Sequence, residues 1–84
     1  MGLPAMRYFF DIRTPRGITR DPDGQVLLSD QDSVEAAHRE ALGLAADQLR
    51  DGSPVSAEAI VIRNEQGKII AEVDISSVVK GFLR

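Results

Sequence analysis

From Met6 onward, apolar and polar side chains alternate. Met6, Tyr8, Phe10 and Ile12 fall on one side of an extended chain, and Arg7, Phe9, Asp11 and Arg13 on the other. A period of two specifies a strand with one face turned to a core, so the rest of the chain must supply the cover for that face. Phe9 is the one violation: parity places it on the side away from the core. "TPRG" (Thr14 to Gly17) follows at turn spacing, then "ITR", a second turn "DPDG" (Asp21 to Gly24), and the short apolar run Val26, Leu27, Leu28. The opening third reads as a hairpin or short meander.

The period then changes. In "SDQDSVEAAHREALGLAADQLRDG", Val34, Ala37, Ala41, Leu42, Leu44, Ala45 and Leu49 gather on one arc of a helix, and Glu35, Arg39, Glu40, Gly43, Asp47, Arg50 and Asp51 gather opposite. The spacing predicts a helix from about Ser33 to about Asp51, with Asp32 and Glu35 as a capping box and Gly52 as the C-terminal cap. A polar linker, "DGSPVSAE", leads to "EAIVIR" (Glu58 to Arg63) and "KIIAEVDI" (Lys68 to Ile75), joined by "NEQG" with Gly67 at a left-handed position. With Arg63 opposite Lys68, the residues Ile60, Ile62, Ile69, Ala71, Val73 and Ile75 share one face. Ala59, Val61 and Ile70 share the other. The tail "SSVVKGFLR" forms a helical turn or a docking strand.

These elements predict an α+β fold: an antiparallel sheet of three or four strands in β-β-α-β-β order with one amphipathic helix across one face. The expected core is Tyr8, Phe10, Ile12, Val34, Ala41, Ala45, Leu49, Ile60, Ile62, Ile69, Ala71 and Val73. With 84 residues, the chain has room for one domain, 1–84, with residues 1–5 frayed. About 60% of its unfolded surface is buried at this size.

Composition marks down several functions. The absence of cysteine removes disulfides, thiolate nucleophiles and cysteine-based zinc sites. "MGLPAM" lacks a signal peptide's apolar stretch, and no long apolar run follows, so a cytoplasmic protein without membrane partners is expected. A net charge of -3 without a basic stripe argues against nucleic acid as a partner.

The run "RYFFDIR", the "DPDG" turn, the Asp-led helix "EAAHREALGLAADQL" and the strand-turn-strand with "NEQGK" together resemble a family of small alphaproteobacterial proteins filed as a domain of unknown function. The resemblance covers about Arg7 to Ile75 and opens on an Arg-Tyr-Phe-Phe-Asp motif. It implies a fold and carries over no catalytic residue. A weaker likeness is to HicB-like antitoxin domains, which also begin with a strand-turn-strand and an Asp-preceded helix. That likeness implies a partner-binding module, but the tail after Ile75 is too short for a separate DNA-binding domain.

No residue set points to chemistry. His38, the only histidine, lies by helical angle near Val34, Ala41 and Ala45, with no HxxxH or HxxE spacing beside it, and reads as a structural residue at the edge of the core. Asp21, Asp23, Asp30 and Asp32 have turn and cap duty and lack the remaining ligands of a calcium loop. The glycines form no phosphate-binding loop, and the serines sit in no nucleophile motif. No enzyme, metal or cofactor is therefore expected.

Phe9, Ala59, Val61 and Ile70 make an apolar centre on the sheet face away from the helix. Arg7, Asp11, Arg13, Arg63, Lys68, Glu72 and Asp74 stand around it as a charged rim. An apolar patch with a polar rim is the usual anatomy of an interface. These four residues are the candidate interface. Its cover is either the tail bearing Val78, Val79, Phe82 and Leu83, or a protein partner, with a second copy of this chain among the candidates. The expected function is a non-enzymatic interaction module. The alternative is a HicB-like antitoxin or another regulatory partner of a toxin.

Overall fold

The computed structural model of the chain describes residues 4–51 and 57–82, with the side chains of Leu49, Asp51 and Phe82 excepted. Fraying at residues 1–3, the Gly52 cap, most of the "DGSPVSAE" linker and the burial of Leu49, Phe82 and Leu83 lie outside what is described. The elements run β1 (Met6–Thr14), β2 (Gly17–Thr19), β3 (Gln25–Leu27), α1 (Asp30–Asp51), β4 (Ala59–Arg63), β5 (Ile69–Asp74) and α2 (Ile75–Phe82). The fold is α+β, an antiparallel sheet with a long helix and a short C-terminal one, as the change of period predicts.

β1 is the organising strand. β4 runs along one edge with Phe9 opposite Arg63 and Arg13 opposite Ala59, and β5 pairs beyond β4. On its other edge β1 pairs with two short strands in line, β3 at Met6–Tyr8 and β2 at Ile12–Thr14. That arrangement leaves the Phe10 N–H between them without a strand partner. A buried amide left unpaired is costly, and Asp21 Oδ2 accepts it at 3.1 Å.

The helix begins earlier than the sequence suggests, which corrects the Asp32 cap. Ser29 Oγ accepts the Asp32 N–H at 3.1 Å, and Ser33 N–H bonds Ser29 O, so Ser29 is the N-cap and Asp32 sits three residues inside. α1 then turns Ala36, Ala37, Ala41 and Ala45 onto Tyr8, Phe10, Ile60, Ile62 and Val73. Alanines let helix and sheet approach closely. The Tyr8 hydroxyl donates to Asp30 Oδ1 at 2.8 Å, which ties β1 to the first turn of α1.

Two further expectations are corrected. Ile69 is 61% exposed, whereas Ile70 packs against the core. The reason is a bulge: Ile62 stands opposite Ala71 but Arg63 opposite Ile69, so Ile70 is the extra residue and the faces of 69 and 70 exchange. The tail does not cover the helix-free face through Val78 and Val79. α2 lies beside α1, and both valines pack with buried Ile75 on the main core.

Gly24 closes the "DPDG" turn at φ 70°, and a Cβ there would stand 2.7 Å from Tyr8 O and 2.9 Å from Arg7 Cγ. Both the left-handed backbone and the clash with β1 oppose a side chain. Gly24→Ala is expected to lose about 2 to 4 kcal/mol, read as a lower midpoint in urea unfolding.

Candidate interaction face

The side of the sheet away from α1 is built from the odd residues of β1 and their cross-strand neighbours. Three rows cross it: Phe9, Arg63, Ile69; then Asp11, Val61, Glu72; then Ile18, Arg13, Ala59, Asp74. Val26, opposite Arg7, adds a corner.

At the centre lies a buried carboxylate. Asp11 is 1% exposed, and four donors saturate it. Arg63 Nε donates to Oδ2 at 2.6 Å and Arg63 Nη2 to Oδ1 at 3.2 Å. Arg20 Nη1 donates to Oδ2 at 3.0 Å, and the Asp21 backbone N–H to Oδ1 at 2.9 Å. The Arg63 guanidinium also lies 4.7 Å from the Phe9 ring centroid, a cation–π arrangement that covers the ring. Burial pushes the Asp11 carboxyl up, but the bonds from Arg63, the Asp21 N–H, the Arg63 charge and Arg20 outweigh it and hold it below the ordinary range. Asp21 behaves likewise: burial raises it, and the N–H groups of Phe10, Gly24 and Asp23 bring it below normal. The two aspartates therefore clasp residues 20–24 against β1.

A second ionic strap crosses β4. Arg13 on β1 reaches Glu72 on β5 at 2.5 Å and Glu58 at 3.7 Å. Because β4 lies between those strands, the strap passes over it. Ala59 and Val61 beneath are 0% and 5% exposed.

The candidate interface is thus reorganised. Phe9 is half-buried under Arg63, and Ala59 and Val61 are sealed under ion pairs. Ile70 faces the other way. The accessible apolar side chains are at the margins: Ile18 is 50% exposed, Val26 54% and Ile69 61%, three of the five large exposed apolar residues among those described. A charged centre with apolar margins replaces the apolar centre with a charged rim. An aspartate in mid-strand, where that residue is depleted, is the sequence signal that marks the centre. The Ile69–Ile70 exchange has no such signal, because nothing in "NEQGKII" distinguishes a bulge from a regular ladder.

His38 is exposed on α1, above a groove it shares with Val34, Glu72, Val73, Ser77 and Val78. Val73 belongs to the core and Val34 and Val78 pack on it, so His38 stands at the edge of the core on its solvent side. His38→Gln is expected to change stability by less than about 0.5 kcal/mol, checked by thermal unfolding. Burial, then the nearby Asp21 charge, raises the Glu40 carboxyl beneath the "DPDG" turn. Among the described residues no group of three or more metal-ligating side chains converges, and no helix is long and apolar enough to cross a membrane.

The lowered carboxyls set an acid limit. A group whose folded pKa lies below its unfolded value contributes stability above the unfolded value, about 3.9 for aspartate, and loses it as pH falls through the folded value. Glu40, raised, opposes this in part. Stability is expected to be level near neutral pH and to fall below about pH 4, and Asp11→Asn should flatten that fall in urea titrations at stepped pH.

No curated protein and no solved structure matches the chain significantly. A family model described as a domain of unknown function, DUF6894, matches residues 7–76, which contain the clasp, the strap and the three exposed apolar residues of the margins, and the chain belongs to that family.

Proposed function

We propose that the chain is a non-enzymatic protein-interaction module and that its helix-free sheet face is the docking surface. One observation carries this reading: Ile18, Val26 and Ile69, each at least half exposed, stand on one sheet face around a saturated ionic centre. A solvated sheet face is ordinarily polar at such positions. Apolar side chains held in fixed register by ion pairs offer a partner a pre-organised surface, which lowers the ordering cost of binding. The Asp11 carboxylate, with its donors already in place, has no vacancy for acid–base work.

Affinity capture from the native cell, comparing wild type with a folded Ile18→Lys, Val26→Lys, Ile69→Lys variant, tests the reading. Proteins, or further copies of the chain, retained by the wild type and lost by the variant are the expected result. Identical capture by both overturns the assignment to this face. A toxin among the proteins lost would make the module an antitoxin.

A further inference from the structure

The helix-free face is electrically lopsided. Its β1 side presents Arg7, Arg13 and Arg20 over the buried Asp11; the turn carboxylates Asp21 and Asp23 stand at that edge, Glu65 Oε1 accepts the Arg7 N–H at 2.6 Å, and Arg13 is paired within the chain with Glu72 and Glu58. Its β4–β5 side carries Glu72 and Asp74 against one guanidinium, Arg63, and Glu58, just before β4, approaches Arg13 at 3.7 Å. Apolar side chains stand on both margins, Ile18 and Val26 on the basic one and Ile69 on the acidic one.

We propose that this face docks on the same face of a second copy of the chain, across a two-fold axis parallel to the strands. The inference rests on the interaction-module reading and names its partner. Such an axis keeps height along the strands and exchanges the margins, so β1 lies over the partner's β4 and the β2–β3 margin over the partner's β5. Arg20, 65% exposed and holding Asp11 through Nη1, then faces the partner's Glu72, which is 43% exposed. Phe9 with its covering Arg63 faces the same pair in the partner. A two-fold axis across the strands would instead lay the basic margin on itself and bring Arg7 over the partner's Arg13. Like charges so placed are unfavourable, and charge selects the first arrangement.

The footprint sets the strength. Four strand positions about 4.8 Å apart and seven residues of about 3.3 Å give roughly 450 Å² per copy. Two such patches fall at the small end of specific interfaces, so association is weak and sensitive to salt.

Sedimentation equilibrium on the full chain up to about 1 mM, at about 50 mM and about 500 mM salt, tests the proposal. The wild type should dimerise at low salt and weaken about tenfold or more at high salt. Arg20→Glu and Glu72→Arg should each be monomeric where the wild type is dimeric, and their equimolar mixture should restore a dimer, since both cross-pairs become attractive again. Circular dichroism checks that each is folded. Should Arg20→Glu not fold beside Asp11, Ile69→Lys at an exposed site replaces it and should likewise be monomeric. A monomeric wild type at low salt, a mixture that stays monomeric, or an Ile69→Lys protein as dimeric as the wild type overturns the proposal. A monomeric wild type with face-dependent capture of other proteins overturns the dimer alone. A monomeric wild type without such capture overturns the module reading as well.

Discussion

Asp11→Ala is expected to lose about 3 to 5 kcal/mol, because removing one member of a buried ion pair leaves the other charge without compensation. The Arg63 guanidinium would lose both carboxylate bonds while remaining largely covered, and the Asp21 N–H would lose its acceptor. The effect should spread beyond the pair. Asp21 is positioned by Asp11, and Asp21 in turn accepts the Phe10, Asp23 and Gly24 N–H groups, so the whole segment between β2 and β3 loosens. Small domains have a net stability of about 0.05 to 0.15 kcal/mol per residue, so this loss is a large share of the total. Urea denaturation followed by circular dichroism reads it. Asp11→Leu with Arg63→Met is the informative control: it removes both charges and keeps volume, and it should recover much of the stability. A single Asp11→Ala that loses less than about 1 kcal/mol would show the carboxylate to be a bystander.

Phe10→Ala should cost a comparable amount, about 3 to 5 kcal/mol, for a different reason. Phe10 is 3% exposed and belongs to the cluster that joins Tyr8, Ile60 and Ile62 to the alanine face of α1. The facing helix residues are alanines, too short to move into the space a lost ring leaves, so the cavity stays open. The same change at Phe9 should cost less, since its ring lies half-buried on the other face under Arg63. Unfolding of the two variants in parallel separates the faces: near-equal losses would contradict the strand parity of β1.

That parity was legible from residues alone. Alternation in "MRYFFDIR" places Tyr8 and Phe10 in the core, and the 3.6 period in "VEAAHREALGLAA" places Ala37, Ala41 and Ala45 against them, because one-sided burial imposes a period. Ser29 is missed as the cap because Asp32 and Glu35 fit the same local rule, and only the position of the first turn, set by Tyr8 reaching Asp30, decides between them. Leu42, on the apolar arc that hydrophobicity marks out along α1, is exposed all the same. The site is harder to read than the fold. Which arginine meets Asp11 depends on the pairing of strands 52 residues apart in sequence, and the exchange of Ile69 with Ile70 depends on one bulge. Long-range register leaves no local trace.

If the helix-free face, with its charged centre and apolar margins, is the surface offered to a partner, its exposed methyl groups must report the contact. Methyl-resolved NMR tests it most directly, by following every isoleucine, leucine and valine methyl as the protein is raised from about 50 μM to about 1 mM or titrated with a captured partner. The predicted result is that Ile18, Val26 and Ile69 shift together while buried Ile60 and Ile62 and exposed Leu42 stay still; shifts confined to Leu42, Val78 and Val79, with the three margin residues unmoved, would contradict it.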